Sequence, residues 1–124
     1  MQQRYEIWEI LPDGSPRVSI ESVLEDWEGF RLLLRNHETD RILRLAFASP
    51  AAYQRRDESD LDGEAARSTG LGRGCFYRVR QSEYLARFAA DTCRQFDGLQ
   101  HFAVITETLC VDVLAVGEPT VEAL

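Results

Sequence analysis

Two polar residues in the most apolar stretch of the chain, His101 and Asp112, have the types that general-base chemistry needs. A hairpin that turns at Glu107-Thr108 would make them diagonal neighbours on adjacent strands. A carboxylate that holds a histidine is an arrangement used by general bases. Tyr77 is a third polar residue expected beside these strands. Tyr77, His101 and Asp112 therefore form a candidate pocket for a small ligand or a hydrolytic reaction.

The sequence assigns no catalytic nucleophile to that pocket. The three cysteines, Cys75, Cys93 and Cys110, are far apart and form no CxxC pair, so neither a zinc site nor a disulfide framework is indicated. We expect them to be small buried apolar residues. Asp112 also has a second interpretation, as a charge that guards an exposed strand against edge-to-edge pairing. We accordingly predict no catalytic residue and no cofactor.

Two further motifs resemble ligand loops but fail in detail. The glycine cluster 70–74 leads into a strand, whereas a phosphate-binding loop follows a strand and opens a helix. Residues 58–69 partly match a calcium loop, but Glu58 replaces the usual first aspartate and Thr69 stands where a bidentate glutamate belongs. We predict no metal site.

Charge is the most distinctive property of the composition. The chain has 14 basic and 21 acidic residues, a formal net charge of -7, and no lysine. This balance disfavours nucleic-acid binding, and the missing lysine excludes lysine Schiff-base chemistry. The charges occur in blocks along the chain. Acidic residues outnumber arginines in residues 1–30, 57–64 and 95–124, and arginines outnumber acidic residues in the two segments between them.

Two interpretations of these blocks remain open. The arginines of one strand face could pair with acids from neighbouring elements as solvated ion pairs. Alternatively, two acidic stretches could meet a basic partner protein, with Trp27 as an aromatic anchor in an acidic rim. Trp8 is expected in the core, whereas Trp27 fits either environment. The candidate partner-binding residues are Glu25, Asp26, Trp27, Glu28, Asp57, Glu58, Asp60 and Asp62.

Alternating apolar residues predict several strands. Segments 4–10 and 17–24 alternate in strand fashion, and 30–34 with 41–47 predict a hairpin that has one buried face and one arginine-bearing face. Residues 75–80 predict another strand. Residues 101–116 predict a final hairpin in which His101 lies opposite Leu114, and the strand ends at Glu118-Pro119.

Two helices are predicted between these strands. Ser49-Pro50 provides a cap and a first-turn proline for a short helix that ends near Ser59. Ser82 caps a second helix whose apolar stripe runs to Phe96, with Asp97-Gly98 ending it. The predicted fold is α+β, with a largely antiparallel sheet of about five to seven strands and two helices.

The length of 124 residues predicts a single domain over 1–124. Within it, residues 57–74 are polar and glycine-rich and are expected to form one long loop. No apolar run approaches a membrane span, and the first residues lack the pattern of a signal peptide. We therefore expect a cytoplasmic protein without membrane association. Sheet edges leave homo-oligomerisation open.

Three strings carry a resemblance to a known group of proteins: FRLLLRNHETDRILRLAFAS at 30–49, FYRVRQSEYL at 76–85 and HFAVITETLCVDVLAVGEP at 101–119. They resemble small, acidic, mostly uncharacterised bacterial proteins, some of them similar to immunity proteins of polymorphic or contact-dependent inhibition toxins. The resemblance implies a protein partner, a cognate toxin domain, and no enzymatic activity. The chain departs from the group pattern at Phe102 and Leu109, in the last hairpin.

Overall fold

The computed structural model describes residues 3–8, 17–57, 76–91, 98–106 and 109–124. These residues form nine strands and one helix. The elements are β1 (Arg4–Ile7), β2 (Val18–Asp26), β3 (Gly29–Asn36), β4 (Arg41–Phe47), β5 (Ala52–Asp57), β6 (Phe76–Arg80), α1 (Glu83–Asp91), β7 (Gln100–Ile105), β8 (Leu109–Ala115) and β9 (Thr120–Ala123).

The strands form two antiparallel sheets. Sheet A has the strand order β1-β6-β7-β8-β5, and sheet B has the order β2-β3-β4-β9. The prediction of largely antiparallel strands is confirmed. The expectation of one sheet with two helices is wrong for the described part of the chain, which has a five-stranded sheet, a four-stranded sheet and one helix. Alternating patterns identify strands but do not say which strands share a sheet.

The helix expected after Ser49-Pro50 is instead strand β5. Residues 52–57 pair antiparallel with β8, and the Ala51 amide donates to the Leu114 carbonyl at 2.7 Å. The proline disfavours helical backbone at the preceding residue, and pairing with β8 satisfies the backbone groups of this segment in extended form. The pairing partner is nearly sixty residues away in sequence, so the local signals at Ser49-Pro50 wrongly predicted a helix.

The first hairpin shows why one face of sheet B is buried. Strands β3 and β4 pair so that Leu32 lies opposite Leu45 and Leu34 opposite Leu43, as the alternation predicts. These leucines and Phe30 face the inner side of sheet A, and Phe102 and Val113 of that sheet belong to the same buried cluster. Trp8 is part of this core, which confirms the expectation for that residue.

The other face of sheet A is covered in part by α1. Because side chains alternate along each strand, the residues on this outer face are those between the core positions of β6, β7 and β8. Tyr77, Ala103, Ile105 and Cys110 form a second buried cluster there. Helix α1 begins directly after β6 and packs against β7. This layer contains the candidate pocket.

The final hairpin has the predicted register. His101 lies opposite Leu114, and Ala103 lies opposite Asp112. Strand β9, which follows Pro119 and pairs with β4, was missed because only four residues carry its signal. The predicted loop 57–74 lies outside the described residues apart from Asp57, which ends β5, and residues 92–97 at the expected helix end are likewise outside them. In the described part of the chain, no helix is long and apolar enough to cross a membrane.

Candidate functional site

Asp112 is the centre of a buried polar network on the outer face of sheet A. Its carboxylate is fully buried and accepts hydrogen bonds from donors on both neighbouring strands. His101 Nε2 lies 2.7 Å from Oδ1, Arg56 Nε donates to Oδ2 at 2.8 Å, and Gln54 Nε2 donates to Oδ2 at 3.0 Å. The register explains this convergence, because Gln54 lies directly opposite Asp112 and His101 lies diagonally.

Asp112 lies on β8, between β7 and β5, so the interpretation of this residue as an edge-strand guard is wrong. Burial alone would favour the neutral acid, but the hydrogen bonds that His101 and Arg56 donate, together with the positive charge of Arg56, outweigh it and lower the pKa of Asp112. The guanidinium of Arg56 is itself partly buried, and its pairing with the carboxylate raises the pKa of Arg56. Asp112 is therefore an ionised, fully paired carboxylate.

The second ring nitrogen of His101 binds a serine. Ser82 Oγ lies 2.6 Å from His101 Nδ1, and the Leu85 amide donates to the same oxygen at 3.0 Å. Ser82 is thus the N-cap of α1, as the sequence predicts. The His101 side chain is only 2% exposed, so both ring nitrogens are satisfied by side chains within a buried site.

The directions of these hydrogen bonds follow from their partners. The ionised Asp112 carboxylate can only accept, so Nε2 of His101 carries a proton and donates to it. In the neutral ring Nδ1 is then an acceptor, and the Ser82 hydroxyl donates to it. The result is a chain of polar contacts, serine to histidine to aspartate, with Arg56 behind the aspartate.

A tight strand-to-helix turn presents Ser82. Strand β6 ends at Arg80 and α1 begins at Glu83, so two residues reverse the chain direction. Gln81 has a φ of 55°, a left-handed conformation that is uncommon for a residue with a side chain. Such strain is concentrated at functional sites more often than elsewhere. The turn places the Ser82 hydroxyl against His101 of β7.

A cavity of about 550 Å³ opens beside this turn and includes Ser82 and His101 in its wall. Val79, Leu85 and Leu99 contribute apolar surface to it. Polar and charged residues make up most of the rest of the wall, and convergent polar groups in a concave site fix the orientation of a small ligand. The network of Asp112 therefore reaches a space that a ligand can enter, through His101 and Ser82.

Tyr77 and Cys110 lie on the same sheet face, and the Cys110 sulfur contacts both Arg56, at 3.6 Å, and Asp112, at 3.9 Å. Tyr77 is fully buried on the same sheet face, with its ring edge-on to Tyr5 at 6.1 Å. Cys110 is a free, buried cysteine as expected, and burial together with the Asp112 charge raises the pKa of its thiol to about 12. A protonated thiol is a poor nucleophile, so Cys110 is a packing residue. Cys75 and Cys93 lie outside the described residues.

The first acidic stretch forms the tip of the β2–β3 hairpin. We call Glu25, Asp26, Trp27 and Glu28 the acidic tip. The indole of Trp27 is 91% exposed at the turn. Arg31 binds Asp26 at 2.7 Å and Glu28 at 2.9 Å, and the Glu28 amide donates to Asp26 Oδ1 at 2.8 Å.

Glu25 has a different environment from its neighbours in the acidic tip. It accepts a hydrogen bond from the hydroxyl of Tyr53 at 3.1 Å, and this contact raises the pKa of Tyr53. A phenol is neutral, so this contact leaves the negative charge of Glu25 in place. In the acidic tip, two carboxylates therefore share Arg31, and the third is bound by the neutral Tyr53.

The arginine-bearing face of the first hairpin is largely paired within the chain. Arg35 binds Glu21 and Asp40 at 2.5 and 2.9 Å, and Arg44 binds Glu122 at 2.7 Å. The interpretation of the charge blocks as internal, solvated ion pairs thus describes this face. The acidic tip keeps an excess of negative charge.

The second acidic stretch is described at one residue only. Asp57 is the last residue of β5, four residues beyond Tyr53, which places its backbone about 13 Å from the backbone of Tyr53 along the strand. Glu58, Asp60 and Asp62 lie outside the described residues. Among the described residues, no group of three or more His, Cys, Asp or Glu side chains is placed to hold a metal ion.

Sequence reasoning missed three members of the buried network. Gln54 and Arg56 lie in the segment predicted as a helix, and Ser82 was identified only as a helix cap. An arginine and a glutamine two residues apart in a strand share one face, and that spacing would have indicated a common partner. The Ser82–His101 contact depends on how α1 docks, which local patterns do not show.

Comparison with protein-family models, with curated proteins and with solved structures finds no match to this chain.

Proposed function

We propose that this chain is a protein-binding module, an immunity-like protein that neutralises a basic toxin domain through acidic surface residues. The observation that carries the proposal is the exposure of Trp27 at the centre of the acidic tip. The net charge of -7 and the resemblance to immunity proteins agree with it. The partner is a cationic protein rather than a nucleic acid, because phosphates would be repelled.

Trp27 has the properties of an interface anchor. Its side chain lies at a turn, and Trp8 supplies the buried tryptophan of the core. Burying an exposed indole against a partner removes a large apolar area from water, and tryptophan is among the residues most enriched at binding hot spots. The energy of burying Trp27 is therefore still available for association.

The carboxylates around Trp27 are held in place before any partner arrives. Arg31 donates hydrogen bonds to Asp26 and Glu28 from separate nitrogens, and the Asp26 side chain also accepts a hydrogen bond from the Glu28 amide. Ordered side chains lose less entropy on binding. The remaining negative charge of the tip speeds encounter with a cationic surface and selects against anionic ones. Asp57, Glu58, Asp60 and Asp62 are proposed to extend this surface.

The test is a protection experiment in a bacterial host. The product of the adjacent gene is expressed alone, with this chain, and with its Trp27→Ala variant. We expect growth arrest alone, rescue by the native chain and loss of rescue by the variant. The Ile7→Ala variant, altered at a half-exposed apolar residue of the far edge strand β1, should rescue fully. If the adjacent gene product is neither toxic nor bound by the native chain, the proposed immunity-like function is rejected.

The cavity at His101 supports a second function, the binding of a small ligand. Its supporting observation is that Ser82 and His101, joined by a hydrogen bond, both line a space of about 550 Å³. Methyl acetate and N-methylacetamide are suitable probes, since each offers one carbonyl acceptor. We expect them to shift the amide resonances of Gln81, Ser82, Leu99 and Gln100 in two-dimensional NMR spectra. Shifts spread evenly over the surface would reject the pocket.

A further inference from the structure

We propose that Ser82 is the nucleophile of an acyl-transfer site whose general base is His101, with Asp112 as the residue that orients the base. This inference rests on the second function proposed above and is independent of the acidic tip. The geometry that carries it is the pair of contacts at 2.6 and 2.7 Å through the two nitrogens of one imidazole ring. This is the arrangement of roles found in serine hydrolases, here with Nδ1 facing the serine.

The surroundings hold the histidine in the form that this chemistry needs. Asp112 fixes the proton on Nε2 and receives Arg56 and Gln54 on its other oxygen, so the carboxylate cannot rotate away. Tyr84 packs edge-on against the His101 ring with centroids 5.6 Å apart. The ring is therefore oriented by one carboxylate and one aromatic side chain, and its unprotonated nitrogen, Nδ1, accepts a hydrogen bond from the Ser82 hydroxyl.

The turn that carries Ser82 also carries a backbone N–H of the kind that stabilises an oxyanion. The residue after the nucleophile often donates its N–H to the developing oxyanion in such sites. Here the Glu83 amide is directed outward from the helix and donates to Gln3 Oε1 at 2.7 Å. A substrate oxyanion would therefore receive this N–H only after displacing the Gln3 side chain. The positive end of the α1 dipole adds to this stabilisation.

The cavity favours a small uncharged carboxylic ester. Its apolar wall includes Val79, Leu85 and Leu99. The two arginines in the wall are paired with acids, Arg80 with Glu6 at 2.7 Å and Arg78 with Glu118, so their charges are compensated. A substrate carboxylate would therefore find no unpaired cation among these two. A volume of about 550 Å³ accommodates a small-molecule substrate.

The proposed reaction is hydrolysis in two steps. Ser82 Oγ attacks the ester carbonyl carbon while its proton passes to His101 Nδ1. The bond from that carbon to the alkoxide oxygen breaks, the alkoxide takes the proton from Nδ1, and an acyl-serine remains. Water then attacks the acyl carbon and gives a proton to Nδ1, which returns it to Ser82 Oγ as the carboxylic acid leaves. The net change consumes one ester and one water.

The test is covalent labelling of the full chain with an alkyl fluorophosphonate, followed by intact and peptide mass spectrometry. We expect one phosphonyl group on Ser82 of the native protein. The Ser82→Asn variant keeps a capping oxygen for α1 and should fold but not react. The Ser22→Ala variant, altered on strand β2, should react like the native chain.

Two results would overturn the assignment. One is native protein that stays unlabelled at Ser82 after prolonged exposure, and the other is equal labelling of the native chain and the Ser82→Asn variant. If the native protein stays unlabelled while the neutral probes still shift the resonances at Gln81 and Leu99, ligand binding stands and acyl transfer is rejected. If labelling and probe binding both fail, the pocket has no small-molecule function.

Discussion

The fully buried carboxylate of Asp112 accepts hydrogen bonds from three side chains on the two neighbouring strands. Removing its charge leaves the Arg56 guanidinium without an anionic partner in a site where Arg56 is itself only 27% exposed. A charge that loses its partner in a largely dry site is costly. An exposed ion pair of the same chemistry, Arg44 with Glu122, contributes little to the free energy of unfolding.

We therefore predict that Asp112→Asn lowers the free energy of unfolding by about 3 kcal/mol. The matched control, Glu122→Gln, removes the carboxylate of a surface arginine pair and should lower it by less than about 1 kcal/mol. Urea denaturation of both variants measures the difference. Equal losses in the two variants would show that the buried network contributes no more than a surface ion pair.

The same network makes part of the stability depend on pH. Because the pKa of Asp112 is lower in the folded chain than its ordinary 3.8, the unfolded chain binds more protons near that pH. The stabilising contribution is thus present above pH 3.8 and is lost as the pH falls through the folded pKa. Carbon-13 NMR of the Asp112 carboxyl group should show it still ionised at pH 3.8. A titration midpoint above 3.8 would mean that burial outweighs the hydrogen bonds from His101 and Arg56 and the charge of Arg56.

At the scale of elements, the β2–β3 hairpin depends on one glycine. Gly29 has a φ of 108°, a conformation that side chains rarely adopt, and no atom lies within 4 Å of the Cβ it would gain. Gly29→Ala should therefore destabilise the chain through backbone strain alone, by about 1 kcal/mol. Gly117 has equally open space and no such φ, so Gly117→Ala is the matched control. Thermal unfolding compares the two, and equal stability would show that the turn tolerates a side chain.

Elements whose signals are local and periodic were predictable. The register of β7 with β8 follows from alternation over a single hairpin, and α1 follows from its Ser82 cap and apolar stripe. Strand β5 was not predictable in the same way, because Ser49-Pro50 is also a helix signal and the deciding partner, β8, is distant in sequence. Pairings between distant segments are fixed by the whole sheet and not by local propensity.

The candidate site shows the same limit at finer scale. His101 and Asp112 could be placed together from sequence because they belong to one hairpin. Ser82 could not be added, because its contact depends on the packing of α1 against β7. Arg56 reaches Asp112 only because residues 52–57 are a strand. The missing members of the network thus all come from non-local contacts.

For the whole molecule, the two proposed functions occupy different parts of the fold. The acidic tip belongs to sheet B, whereas the serine–histidine–aspartate network belongs to the outer face of sheet A and to α1. Trp27 and Ser82 can therefore be altered separately. The charge distribution favours the tip as the main interaction surface. Its three carboxylates have one arginine between them, whereas Glu21, Asp40 and Glu122 have two, Arg35 and Arg44.

The role of the acidic tip is tested by the affinity of the native chain and of Trp27→Ala for the adjacent gene product, measured by titration calorimetry at low and moderate salt. Loss of a hot-spot tryptophan should weaken binding about 30-fold, with no loss of unfolding free energy, and added salt should weaken native binding further. Ile7→Ala should bind like the native chain. Tight binding that is indifferent to Trp27 and to salt would contradict the proposal that this chain recognises a basic protein through its acidic tip.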